Sequence, residues 1–307
     1  MLERFSVQNS LNTDQDSYPS YINIDIYDRM TTYYSKNLLL FGVSETGDKV
    51  VIKFPSFTDG AEHESEGLYQ CYVASIPVPK PLALVQNTDG KTGFVSLFIP
   101  GERIIFVDNE EYYIKFGSVV RKMHDEVNIT GDHWKKSGRS DFSFYQKHID
   151  SWKTLYNEGI LESPKAHQLL QHLADPIAVC FGNAKPSFVH YDLHDHQSII
   201  TPSKELYIID FERWREEHPL NDIAIYLSHS LRTDRPYSLF VEFVNGYLNH
   251  SRLSEKEKET ISFYLLFAGF MSIEYYRKYR PKEILYTIAQ LSKITEHIND
   301  ETIWKLL

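Results

Sequence analysis

Two acidic side chains and an amide, Asp192, Asp210 and Gln197, fall within one short stretch, Phe188 to Trp214, that reads FVHYDLHDHQSIITPSKELYIIDFERW. It holds a short apolar run, a polar loop dense in His and Asp, and two β-branched runs around a Pro-Ser-Lys-Glu turn, the second ending in Asp210. Strands joined so tightly lie side by side, so the polar groups entering the first and leaving the second face each other. Two carboxylates gathered in one small volume are costly unless a cation or a proton is shared between them. Mg²⁺ suits the set: it takes oxygen ligands, keeps several waters, and is held by one or two carboxylates plus substrate phosphates. Two plainer readings stand beside this one. His190, His194 and His196 could ligate zinc with Asp192, though their spacing matches no closed structural set and no thiolate accompanies them. The polar residues could also do no more than solvate a turn.

The elements before this stretch are strand-like. Residues 1–20 are polar and read as a loose arm or a cover over the first sheet. Ile22, Ile24 and Ile26 alternate onto one face, and the runs LLLFGV and KVVIKF follow around SETGD, predicting an antiparallel meander. Lys53 sits within the second of these runs, a position that solubilising edge lysines also take. Thr58 and Asp59 read as helix caps, with Glu62, Glu64 and Glu66 in the first turns of the helix. LALVQ, a turn with Asp-Gly, and GFVSLF predict a hairpin ending near Ser96, Leu97 and Phe98. From about Asp108 the chain turns helical: Phe116, Val119, Val120 and Met123 share a stripe, and helices are expected over Phe142 to Asn157 and Pro164 to Phe181. The chain beyond Asp222 reads as three or more amphipathic helices.

The order His-x-Asp, four residues, an amide, then a strand ending in Asp-Phe resembles the catalytic loop and metal-binding aspartate of the protein-kinase-like fold. The variant HYDLH…IIDFE is more similar to the aminoglycoside phosphotransferase and choline kinase branch. The resemblance runs from about Ser35 to Leu227 and includes Pro-Gly after Phe98, the FGSVVRKMH helix, and Asp-Ile-Ala at Asp222. It implies an α+β, bilobal fold: an N-terminal antiparallel sheet lobe, then a mostly helical lobe carrying the catalytic hairpin, with the nucleotide in the cleft between. The expected division is an arm over 1–20, a nucleotide-binding lobe over 21–100, and a catalytic and acceptor lobe over 101–307.

The same resemblance assigns roles. Asp192 accepts or orients the proton of the attacking hydroxyl, and Asp210 binds a metal that bridges the nucleotide phosphates. Gln197 stands where the family usually has Asn, as a second metal ligand one methylene longer. Lys53 reaches the α- and β-phosphates, oriented by Glu64, which is chosen over Glu62 and Glu66 because Leu68 and Tyr72 follow at helical spacing. The backbone around Ser96, Leu97 and Phe98 reads the base. The first turn lacks G-x-G-x-x-G, which leaves phosphate contacts to backbone N–H groups and the hydroxyls of Thr31, Thr32 and Ser35. His190 buttresses the loop, and Asp222 braces it or caps its own helix. Glu212, Glu216, Glu217 and Glu274 are acidic contacts open to a cationic acceptor, and Tyr264, Phe267, Phe270, Tyr275 and Tyr276 are either core or acceptor lining.

Composition bounds the rest. A chain of 307 residues with 42% hydrophobic and 14% aromatic residues buries a substantial core. A net charge of −10 argues against nucleic-acid binding, which relies on basic side chains. Cys71 and Cys180 form no pairing pattern, the first residues lack the apolar core of a signal peptide, and no run is long enough for a bilayer. The expectation is a cytoplasmic monomer or homodimer with no nucleic-acid or membrane partner. It uses ATP or GTP with Mg²⁺ to phosphorylate a hydroxyl of a small molecule such as an aminoglycoside, amino alcohol, sugar or nucleoside. The alternatives are a catalytically weakened nucleotide-binding domain and a protein kinase.

Overall fold

The computed structural model describes residues 3–8, 21–32, 37–57, 59–87, 89–107, 109–128, 142–157, 186–233, 235–279, 282, 284–299 and 304. Ser35, Thr58, Cys180 and the helix expected over 164–181 lie outside them. The chain forms two compact units, residues 1–107 with 196–214, and residues 108–195 with 215–307.

The first unit is built on a six-stranded antiparallel sheet in the order β1-β2-β3-β4-β6-β5. Its strands are β1 (Glu3–Gln8), β2 (Tyr21–Thr31), β3 (Leu38–Ser44), β4 (Lys49–Phe54), β5 (Pro81–Gln86) and β6 (Thr92–Leu97). The expected meander is present. The polar start of the chain is more than an arm, because Glu3 to Gln8 pair with Ile26 to Tyr21 as an edge strand. An edge strand needs to bury little, so a polar composition does not forbid it. Alternation sends Ile24, Ile26, Leu40, Val50, Ile52, Phe54, Ala83, Val85 and Val95 into one apolar core.

Helix α1 (Gly60–Val73) leaves β4 and turns Glu64, Leu68 and Cys71 inward, while Glu62 stays exposed. Asp59 precedes it in a left-handed conformation, φ 60, and makes no side-chain cap, contrary to the sequence expectation. Tyr72 also departs from expectation. It lies one step off the inward stripe and is 36% exposed.

The hairpin of β9 (Ser198–Ile200) and β10 (Leu206–Ile208) belongs to this unit rather than to the helices. Two contacts hold it there. The short strand β7 (Glu102–Arg103) pairs with β9, and Ile208 N–H donates to Pro77 O at 2.9 Å. Gly101 permits the first, since a β-carbon there would stand 2.2 Å from the Ile200 carbonyl oxygen.

The second unit contains α2 (Glu110–Glu126), α3 (Phe142–Asn157), α4 (Leu220–Arg232), α5 (Tyr237–Tyr247), α6 (Glu255–Tyr279) and α7 (Ile284–Asn299). A two-stranded ribbon of β8 (Ser187–Val189) and β11 (Arg215–Glu217) flanks the His-x-Asp loop. Helix α2 is capped by Asn109, whose side chain accepts from Glu111 N–H at 3.0 Å. Its buried stripe is Tyr113, Phe116, Val120 and Met123, with Phe116 packed edge-on against Tyr226 and Phe243. Tyr264, Phe267 and Phe270 are buried core, whereas Tyr275 is half exposed. Among the described residues, no helix is long and apolar enough to cross a membrane.

Candidate active site

In the first unit, β4 places Lys53 inward, and its ammonium meets three carboxylates. Nζ donates to Glu64 Oε1 at 3.0 Å, lies 2.8 Å from Glu64 Oε2, pairs with Asp210 Oδ1, and stands 3.3 Å from Glu212 Oε2. Glu64 is thus the glutamate that partners the strand lysine. Helical spacing explains the choice, because position 64 shares a face with Leu68 and Cys71. Gln197, just before β9, donates Nε2–H to Asp210 Oδ2 at 3.1 Å, and Ile209 N–H donates to the Gln197 carbonyl at 2.9 Å. Asp210 leaves β10 with φ 70, a left-handed conformation that aspartate tolerates better than bulky residues do.

Burial disfavours the Lys53 ammonium, yet the carboxylates of Glu64, Asp210 and Glu212 outweigh it and hold the pKa above the usual lysine range. For Glu64 the balance reverses: burial pushes its pKa up to about 8, against the opposing pull of Lys53. With Glu64 protonated, the ammonium faces two carboxylates and one negative charge is left over; with Glu64 ionised, two are. The carboxylate oxygens of Glu64, Asp210 and Glu212 lie within 4.8 Å of one another, a grouping that could hold a metal ion. A hard, oxygen-only donor set with that charge fits Mg²⁺. The histidines of the loop do not form a comparable group among the described residues, and His190 Nδ1 accepts from Asp192 N–H at 3.3 Å.

Glu212 is one of the four acidic residues that the sequence leaves open to a cationic acceptor. It instead completes this cluster and accepts from Asn37 Nδ2 at 2.9 Å. Asn37, 2% exposed, also accepts from Ser56 N–H at 2.9 Å, while its own N–H donates to Thr32 Oγ1 at 2.9 Å. The Thr32 hydroxyl is therefore engaged with the backbone of Asn37. No strand alternation pointed to Glu212, because Asp210 is left-handed and Glu212 lies in the turn that follows β10.

At the end of β6, Leu97 N–H donates to Lys80 O at 3.0 Å and Phe98 N–H to Lys49 O at 2.9 Å. Both donors of the expected base-reading stretch are thus used by neighbouring backbone. Ser96 is buried within the strand between β4 and β5.

In the second unit, Asp192 follows β8 on a loop held from α4. Asp222 is fully buried, and its oxygens accept from His190 N–H and Tyr191 N–H, each at 2.7 Å. His124 donates Nε2–H to Asp222 Oδ2 at 3.0 Å, and Tyr247 OH stands 2.9 Å from His124 Nδ1. Asp222 therefore braces the loop, and no side-chain cap forms at the start of its own helix. Asp195 adds a second anchor that sequence reasoning missed: it is 2% exposed, accepts from Tyr113 OH at 3.2 Å and lies 3.3 Å from Arg235 Nε.

Two more of the acidic candidates are occupied. Glu217 accepts from Tyr145 OH at 2.6 Å, His218 N–H at 3.0 Å and Tyr264 OH at 3.3 Å. Glu274 accepts from Trp152 Nε1–H at 2.8 Å and lies 3.2 Å from His148 Nδ1, in a pocket that also contains Lys147, Arg277 and Lys278. Glu216 is different: among the described residues its buried Oε2 has no hydrogen-bond partner, and burial raises its pKa.

A sheet unit with a lysine–glutamate pair beside a hairpin aspartate, and a helical unit with a braced His-x-Asp loop, define the protein-kinase-like fold. The chain belongs to the phosphotransferase enzyme family, whose model matches residues 41–258. It is a phosphotransferase acting on hydroxyl acceptors, in a family of small-molecule kinases. No curated protein matches the sequence. Solved structures share the fold at low identity. The GDP complex of aminoglycoside 2'-phosphotransferase-IIIa has TM-score 0.63 and 14% identity, over 89% of this chain and 94% of that one. A choline/ethanolamine kinase family protein from Mesorhizobium loti has TM-score 0.61 and 13% identity, over 92% and 91%. Spectinomycin phosphotransferase in complex with ADP and spectinomycin has TM-score 0.57 and 15% identity, over 92% and 95%.

Proposed function

We propose that this enzyme transfers the γ-phosphate of ATP or GTP to a hydroxyl of a small, amine-bearing acceptor, with an aminoglycoside-like antibiotic or an amino alcohol as the leading classes and sugars or nucleosides behind them. The observation that carries the reading is the convergence of Lys53, Glu64, Asp210 and Gln197. Lys53, oriented by Glu64, takes the α- and β-phosphates. Asp210, with the amide of Gln197 and Glu212 nearby, would hold Mg²⁺. The ion supplies charge neutralisation on the phosphates when bound. Asp192 orients the acceptor hydroxyl and takes its proton. The hydroxyl oxygen forms a bond to the γ-phosphorus while the bond to the β-phosphate oxygen breaks, and the nucleoside diphosphate leaves.

Residues 1–107 with 196–214 are assigned to the nucleotide, and the helical unit to Asp192 and the acceptor. With Leu97 and Phe98 N–H already engaged, base reading falls to the next donor, Ile99 N–H, and to the backbone carbonyls of this stretch. The ADP and GDP complexes of the two named relatives support either nucleotide. Use of such nucleotides supports a cytoplasmic location. Glu216 is the acidic contact best suited to an acceptor amine, since Glu212, Glu217 and Glu274 are engaged elsewhere.

One observation favours a second reading, a catalytically weakened nucleotide-binding protein. Gln197 turns its amide nitrogen, not its oxygen, toward Asp210. Labelled ATP or GTP with magnesium, tested against aminoglycosides, amino alcohols, sugars and nucleosides, separates the two. Label on one acceptor, lost in Asp192→Asn, is the expected result. Nucleotide binding without transfer, with activity gained in Gln197→Asn, would favour the weakened reading.

A further inference from the structure

Tyr191 immediately precedes Asp192 and has φ 62, a left-handed conformation that glycine adopts freely and a bulky side chain resists. Among the described non-glycine residues with positive φ, it carries the largest ring; the others are Asp, Ser, Lys, Asn and His. A tyrosine persists in such a conformation where surrounding contacts over-determine it. Two contacts do so. Its N–H donates to Asp222 Oδ1 at 2.7 Å, and the Arg215 guanidinium lies over its ring, 3.1 Å from the centroid. Arg215 sits on β11 opposite Val189 of β8, so the same two-stranded ribbon that launches the loop also reaches over its second residue. The ring is only half buried, so core packing does not account for it.

We propose that Tyr191 and Arg215 form a clamp that positions Asp192 for proton transfer. The backbone N–H fixes where the loop starts, and the stacked guanidinium stops the residue before Asp192 from relaxing to negative φ, which would swing the following carboxylate. Tyr191 and Arg215 are positioning residues that act through Asp192. The inference rests on Asp192 being the residue that meets the acceptor hydroxyl.

The test measures phosphate transfer from labelled ATP or GTP, with magnesium, to the hydroxyl compound found in the panel above, or to water. Tyr191→Gly leaves the left-handed conformation accessible without strain but no longer held, and so removes the clamp. It lowers kcat by about 10- to 100-fold, the scale of a misplacement near 1 Å, and leaves the nucleotide KM within about twofold. Arg215→Ala does the same, and the double variant falls no further than either single one. Tyr191→Phe and Arg215→Lys, which keep ring and cation, recover most of the loss. Circular dichroism and thermal midpoints identify any variant that loses activity by unfolding, and Arg215→Ala then carries the test. A Tyr191→Gly enzyme with kcat unchanged, or losses that multiply in the double variant, would overturn the clamp while an inactive Asp192→Asn still supports the phosphotransfer role. Transfer surviving in Asp192→Asn would overturn both.

Discussion

Trp214 and His63 exchange hydrogen bonds across stacked rings. The indole Nε1–H donates to the His63 carbonyl at 2.6 Å, and the imidazole Nε2–H donates to the Trp214 carbonyl at 2.9 Å. The ring centroids are 4.9 Å apart at 6°. This pair docks α1, which carries Glu64, onto the segment that carries Asp210 and Glu212. Gly67 makes room for it, since a β-carbon there would lie 2.3 Å from Trp214 Cδ1.

Trp214→Ala should therefore cost about 3 kcal/mol of stability and Gly67→Ala about 1–3 kcal/mol. Urea denaturation reads both. Nucleotide affinity should fall with them, because the Lys53–Glu64 pair loses its support. A Gly67→Ala protein as stable as the wild type would mean that the helix and Trp214 are not in close contact.

Glu64 provides a pH signature. Its carboxyl holds a proton more tightly in the folded chain, so the stability it contributes is complete below about 4.5 and is lost as pH rises through about 8. Lys53 stays charged throughout this window, folded or unfolded, and adds no slope. The stability of Glu64→Gln relative to wild type should therefore shift in favour of the variant by about 1 kcal/mol or more as pH rises from about 5 to about 8. Denaturant midpoints at the two pH values check this, and a pH-independent difference would show that Glu64 is ionised throughout.

Asp222→Ala should destabilise by roughly 3–5 kcal/mol, because it strands a buried and a partly buried backbone N–H and a buried histidine N–H. Asp222→Asn retains an acceptor oxygen and should cost less. Guanidinium denaturation gives the ranking, and equal losses would mean that the oxygen retained in Asp222→Asn braces nothing.

Gln197→Ala should raise the magnesium concentration for half-maximal transfer by about tenfold, the lower end for losses around a metal site. A magnesium titration at fixed nucleotide is the measurement. An unchanged curve would remove Gln197 from the metal site.

How much of this was legible depends on the range of the interaction. Lys53 and Glu64 could be read because a strand run and a helix period each point one residue inward, eleven positions apart. Gln197 and Asp210 could be read because a tight hairpin leaves its flanking residues little choice of neighbour. Asn37 with Glu212 and His63 with Trp214 meet across 175 and 151 residues, and no local pattern encodes such a meeting. The glutamates show the same limit: an acidic residue near a site reads alike whether it faces substrate or, like Glu217, two buried tyrosines. Strand β1 escaped notice because edge pairing requires an extended backbone and a partner more than an apolar face.

The sheet unit is assembled from two distant parts of the chain, and this sets the order in which it can be completed during synthesis. Its first 107 residues emerge without β9, β10, Asp210 or Trp214, so Gly67 faces no indole and Lys53 lacks two of its three carboxylates. The ribosome must release residue 214 before the unit can close. A fragment ending at Val107 should therefore populate a loosely packed state even though it contains the whole six-stranded sheet.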